Sequence, residues 1–198
     1  MREFAERFRP EAAENILDVG GYPATWREMT PGWKSLTILN LDPFTMDGDT
    51  ARALKAEAVV GDACALPYAD RSFDIVFSNS VIEHVGTWEN QKKFAAEAAR
   101  VGHRLSVQTP AREFFIEPHY IAPFVHWLPR RLRRRILRNF TVWGWMTRPD
   151  GGRIEAILDE IRLLTYDEMQ DLFPDCEIIR ERFLGVFTKS YTAIRTSP

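Results

Sequence analysis

Four short apolar runs in the first half of this chain each end in residues suited to holding a ligand. Residues 15–21 close on Asp18-Val19-Gly20-Gly21, and residues 36–41 run into Asp42-Pro43. Residues 58–61 lead into Asp62-Ala63, and residues 73–78 end in Ser78-Asn79-Ser80. Glycine lets a backbone approach a ligand closely. An acid about 20 residues beyond the first glycines can accept hydrogen bonds from both hydroxyls of a ribose. Tyr22 and Pro23 follow the glycine pair, so the G-x-G-x-x-G pattern of a dinucleotide site is absent. Asp18 would repel a pyrophosphate and suits an ammonium group, held directly or through water. A second set of residues could move a proton. Glu83-His84 follows the fourth run, and Glu117-Pro118-His119-Tyr120 follows a fifth at residues 105–109. An imidazole titrates near neutrality and is apt as a base for an alcohol or phenol.

These residues need a scaffold that gathers them. Short runs apolar throughout suit strands buried on both faces. Between the fourth and fifth runs, residues 88–100 place Phe94, Ala95, Ala98 and Ala99 on one side of a predicted helix. Alternating strands and helices imply a parallel sheet of right-handed crossovers, with ligands at the carboxyl ends of its strands. Residues 2–13 carry Phe4, Ala5, Phe8 and Ala12 at helical spacing, interrupted by Pro10. Residues 165–173 read as a helix capped by Thr165, with Glu168 completing a capping box. Residues 177–183 and 186–194 read as an antiparallel hairpin around Leu184-Gly185. Residues 111–160 are rich in aromatics, proline and arginine without strand periodicity, and read as a cap inserted after strand five.

A ligand with a ribose, an adenine and a cationic amino-acid tail is S-adenosylmethionine. The segments ILDVGG at 16–21, LNLDP at 39–43 and VVGDACALPYADRSFDIVFSNSVIEHV at 59–85, with the closing strand pair at 177–194, resemble class I S-adenosylmethionine-dependent methyltransferases of the small-molecule kind. The resemblance covers about residues 14–110 and 165–195. It implies one α/β domain over residues 1–198, Rossmann-like, with a seven-stranded, mostly parallel sheet and a C-terminal antiparallel hairpin. It also implies roles. Asp18, Gly20 and Gly21 would lie near the methionine end of the cofactor. Asp42 would bind the ribose hydroxyls, with Pro43 against the adenine. Asp62 would accept from the adenine amine and the Ala63 amide would donate to the ring. Ser78 and Asn79 would lie beside the methionine portion. The family usually has a second glycine two residues after the first, where this chain has Tyr22. In some relatives a pair like Glu83-His84 binds a metal with an upstream carboxylate. Here that position is Ser80, so no metal is expected. His119 is expected as the general base, with Glu117 orienting it or touching substrate and His84 the next candidate. The plainer alternative is that His119 ties the cap to the core.

Composition and charge bound the partners. Residues 104–148 hold nine arginines against two glutamates, a net +7, and residues 149–182 hold ten acids against four arginines, a net −6. The basic run from Arg130 to Arg138, with Leu132, Ile136 and nearby Trp127, Leu128, Phe140, Trp143 and Trp145, has the composition of a helix lying on an anionic membrane. It also fits a solvated helix balanced by the acidic segment. Nucleic acid ranks below both: no separate RNA-binding module is visible, and strand four ends Ser-Asn-Ser-Val. The acceptor expected is a small molecule or one linked to lipid or sugar, methylated at oxygen. RNA methylation and a non-catalytic S-adenosylmethionine-binding subunit are the alternatives. Two cysteines supply neither a disulfide framework nor a four-cysteine zinc site, and the first residues are charged throughout. A reducing cytoplasm is the expected compartment, with peripheral contact at the inner membrane face.

Overall fold

The computed structural model describes residues 1–197. Helix α1 spans Arg2–Phe8 and β1 spans Asn15–Val19; a short α2 at Pro23–Trp26 leads to β2 at Ser35–Asn40. Helix α3, Gly48–Leu54, precedes β3, Ala56–Val60, and β4 spans Phe73–Asn79. A 3₁₀ turn at Ile82–His84 leads into α4, Trp88–Val101, and then β5, Gly102–Pro110. Two short strands follow, β6 at Ile116–Glu117 and β7 at Ala122–Pro123, then helices α5, Arg130–Phe140, α6, Val142–Thr147, and α7, Gly151–Glu160. The chain closes with α8, Tyr166–Leu172, and the hairpin of β8, Glu177–Phe183, and β9, Phe187–Arg195.

Seven strands form one sheet in the order β3-β2-β1-β4-β5-β9-β8. The first five pair in parallel, and β9 is antiparallel to both β5 and β8. The central strands alternate between two buried faces, which is why they read as unbroken apolar runs. Leu17, Val19, Leu39 and Val76 pack against α4 and α8 through Phe94, Ala98, Met169 and Leu172. Ile16, Ile38, Ile75 and Phe77 pack on the other side against Phe4, Phe8, Trp26, Trp33 and Leu54. The order reverses between β1 and β4, and that is where a crevice opens at the carboxyl ends.

Local signals explain the boundaries. Helix α1 stops at Phe8, where Arg9 turns left-handed before Pro10, whose ring disfavours a helical predecessor. The Thr165 hydroxyl and the Glu168 carboxylate satisfy each other's backbone amides in a complete capping box. The 111–160 segment is more ordered than its lack of periodicity implies. Tyr120, Ala122, Val125, Leu137, Ile154, Ile157 and Leu158 form an apolar cluster of its own. Its apolar positions are spread over three helices and two two-residue strands.

Candidate cofactor and acceptor site

A cavity of about 730 Å³ lies at the carboxyl ends of β1 to β4, walled by Gly20, Tyr22, Asn40, Asp42, Asp62, Ala63, Ser80, His84 and Glu160 among others. Gly20 turns with φ +78°, and a Cβ there would lie 2.5 Å from a methyl of Val81. The Asn40 amide donates to the Gly21 carbonyl at 2.6 Å and pins the loop to β2. Tyr22 stands where a glycine is usual, yet its backbone is extended, φ −135° and ψ 153°, a conformation open to any residue. The loop therefore closes without the second glycine. The Asp62 side chain accepts from the Cys64 amide at 2.8 Å, which fixes its loop beside the cavity.

Of the residues expected around the cofactor, Gly20, Asp42, Asp62 and Ala63 line this cavity. Asp18, Gly21, Pro43, Ser78 and Asn79 do not. Asp18 is fully buried and accepts a 2.6 Å hydrogen bond from the Trp26 indole, while its Oδ1 has no partner. Gly21 covers that carboxylate; a Cβ at 21 would lie 1.8 Å from Asp18 Oδ2. Ser78 is buried and donates to the Val19 carbonyl at 2.9 Å, tying β4 to β1. Pro43 is exposed beyond the cavity wall. Asn79 faces a second cavity.

That second cavity, about 580 Å³, is walled by α1, the ends of β4 and β5, the start of the cap and the hairpin. Phe4, Phe77, Phe114, Ile116, Ile179 and Ile194 give it apolar walls, and Asn79, Gln108 and Thr192 add neutral polar groups. Ser80 lines both cavities. Its backbone is left-handed, φ +57°, and its hydroxyl donates to Gln108 at 3.0 Å.

The residues expected to handle protons are brought together at the border of cap and core. His119 Nδ1 lies 2.6 Å from Glu117, a fully buried carboxylate that also accepts from the Tyr120 amide. His119 Nε2 lies 3.0 Å from His84 Nε2, and His84 Nδ1 lies 2.9 Å from Glu160 at the end of α7. Burial alone would lower the His119 pKa, but the bond and charge of Glu117, with Glu83 and Glu160 nearby, hold it above the usual value. His84, not His119, forms part of the cofactor-cavity wall. Sequence reasoning missed Glu160, which lies 76 residues from His84 with nothing in its own neighbourhood to link the two.

Residues 17–104 match a family described as a methyltransferase domain. Over those residues the chain carries a methyltransferase domain, on a fold shared with solved S-adenosylmethionine-dependent methyltransferases. Solved structures share the fold at low identity. A SAM-dependent methyltransferase from Methanosarcina mazei is 17% identical, with a TM-score of 0.51, over 93% of this chain and 92% of its own. One from Aquifex aeolicus is 11% identical, with a TM-score of 0.53, over 98% of this chain and 88% of its own. The [4+2]-cyclase SpnF also shares the fold, at 15% identity and a TM-score of 0.52, over 99% of this chain and 80% of its own. No curated protein matches the chain by sequence.

The cofactor of this methyltransferase domain is S-adenosylmethionine, and the residues present fit it. Exposed carboxylates of Asp42 and Asp62 on one cavity wall are acceptors for the hydroxyl and amine donors of an adenosine. Asp18, expected at the methionine end, instead lies buried beneath the glycine loop with one oxygen held by Trp26.

Burial pushes the Asp18 pKa up to about 7, against a partial opposing effect of the Trp26 hydrogen bond. The sign of the consequence follows from linkage. Between pH 4 and 7 the unfolded chain ionises this group and the folded chain does not, so stability falls as pH rises and levels off above 7. The expected loss is on the order of 4 kcal/mol for the cofactor-free protein. Asp18→Asn keeps an acceptor for Trp26 and should flatten that slope in urea melts at pH 5 and pH 8. An unchanged slope would remove Asp18 as its source.

Proposed function

We propose that this protein transfers a methyl group from S-adenosylmethionine to a hydroxyl oxygen of a small acceptor linked to lipid or sugar. The observation that carries this reading is the meeting of two cavities at Ser80, with His84 on the wall of the first and His119 3.0 Å from it. When bound, the cofactor supplies an electrophilic methyl group on a sulfonium. Asp42 and Asp62 hold its adenosine. The apolar walls around Phe77, Phe114 and Ile194 hold the acceptor, Asn79 and Gln108 orient its polar groups, and the histidine pair activates the oxygen. Such positioning supplies much of the rate in a displacement of this kind.

A lipid-linked acceptor is favoured by the surface beside the acceptor cavity. Leu184 and Val186, at the tip of the β8–β9 hairpin, are 78% and 69% exposed. Phe183 and Phe187 beneath them are exposed too, and rings connect them through Phe114 and Phe115 to Phe124 and Trp127. Phe114 is also a wall of the acceptor cavity. Protruding apolar groups whose ring chain ends at Trp127, just before a basic helix, suit an anionic bilayer surface. The basic run is partly neutralised: Arg130 pairs with Glu155 and Asp159, and Arg134 with Glu155. Among the described residues, no ion pair engages Arg131, Arg135 or Arg138. No helix is long and apolar enough to cross a membrane.

Methyl-labelled cofactor incubated with the protein and a membrane lipid extract should carry label into the organic phase. An ether formed at a hydroxyl survives mild alkali and an ester does not. Alkali-labile label would overturn transfer to a hydroxyl, and label absent from the lipids would overturn the lipid-linked acceptor. The parent protein should also sediment with phosphatidylglycerol vesicles, less so in high salt. Leu184→Ser with Val186→Ser should weaken sedimentation about tenfold. A parent that ignores the vesicles would leave the hairpin tip without a membrane role.

A further inference from the structure

Two imidazoles at the border of cap and core aim the same nitrogen at each other. His84 and His119 face through Nε2 at 3.0 Å, while each Nδ1 meets a carboxylate, Glu160 and Glu117 respectively. An ionised carboxylate can only accept, so each Nδ1 carries its proton, and in the neutral rings each Nε2 presents a lone pair. Two lone pairs repel at that separation. A positive centre must lie between them.

A third donor group stands in reach. Glu83 is fully buried; Thr109 donates to its Oε2 at 2.9 Å, and its Oε1 has no partner. One ligand atom each from Glu83, His84 and His119 lie within 4.8 Å of one another. A proton shared by the histidines would satisfy two nitrogens and leave the Glu83 oxygen orphaned, at a cost. A metal cation satisfies all three.

We propose that Glu83, His84 and His119 bind a divalent transition-metal cation of the zinc type. Two imidazoles and one carboxylate select such a metal over magnesium or calcium, which prefer an all-oxygen shell. Glu160 and Glu117 hold the imidazoles by their other nitrogens, the usual outer partners of metal-bound histidine. Three protein ligands leave a coordination position open, as catalytic zinc sites do. The absence of a carboxylate at Ser80, which argued against a metal in the sequence, is met by a ligand from the cap that lies 35 residues from His84. This deepens the reading above in one respect, how the histidine pair activates an oxygen.

The test is binding, so it can fail while that reading stands. Full-length protein stripped with dipicolinate is titrated with zinc sulfate by calorimetry and with cobalt(II) by visible absorption. The parent should take up one zinc per chain, and the cobalt form should show the intense bands of a low-coordinate site. His84→Ala and His119→Ala should lose both signals. Glu117→Gln and Glu160→Gln should each weaken zinc binding about 10- to 100-fold. Glu83→Gln keeps the side chain's size and its acceptor for Thr109, so it tests the charged ligand with little risk to folding, and it should weaken binding too. Circular dichroism checks each variant's fold, and cofactor titration of the stripped protein runs alongside. A folded parent that binds no stoichiometric zinc, or folded histidine variants that bind it as the parent does, would overturn the site and leave a shared proton between the histidines.

Discussion

Alanine at His84 should lower turnover about 100-fold or more, the range for losing a group that activates the attacking oxygen. His84 forms part of the cofactor-cavity wall and has no substitute within reach except His119, 3.0 Å from it. Cofactor affinity, read by calorimetry, should stay nearly constant, because the adenosine-binding carboxylates lie at the ends of other strands. His119→Ala should produce the same split with a comparable loss. The measurement is release of S-adenosylhomocysteine with a lipid extract as acceptor. A variant that loses turnover and cofactor binding together would indicate that the pair only fastens the cap to the core. Full turnover in either variant would mean that positioning alone suffices.

Asp42→Ala should weaken S-adenosylmethionine binding about ten- to a hundredfold, because a ribose diol loses its charged acceptor, worth about 1.5–3 kcal/mol. Asp42 is exposed, follows β2 and lines the cavity, so its removal disturbs no buried neighbour. Asp62→Ala should cost less. Asp62 also caps its own loop through the Cys64 amide, and part of any effect there will be structural. Unchanged affinity in a folded Asp42 variant would move the ribose elsewhere in the cavity.

The strand ends were legible because β1 and β2 are buried along most of their length and break at a glycine or an acid, and the edge strand β3 breaks at Gly61-Asp62. That punctuation places Gly20, Asp42, Asp62 and Ala63 together without knowledge of side-chain direction. Direction is what it cannot supply. Asp18 and Ser78 belong to the same strand ends, but their side chains turn inward to Trp26 and the Val19 carbonyl. A run apolar on both faces carries no alternation from which to tell one face from the other. The cap was legible only as composition. The Glu160–His84 and Glu117–His119–His84 contacts join segments that share no periodic pattern, so their meeting depends on how the cap's own apolar cluster seats it on the core.

Met1, Arg2, Glu3 and Phe4 form part of the wall of the acceptor cavity. A purification tag fused ahead of Met1 starts beside that cavity. Acceptor screens on this protein should therefore use material with any leading tag removed.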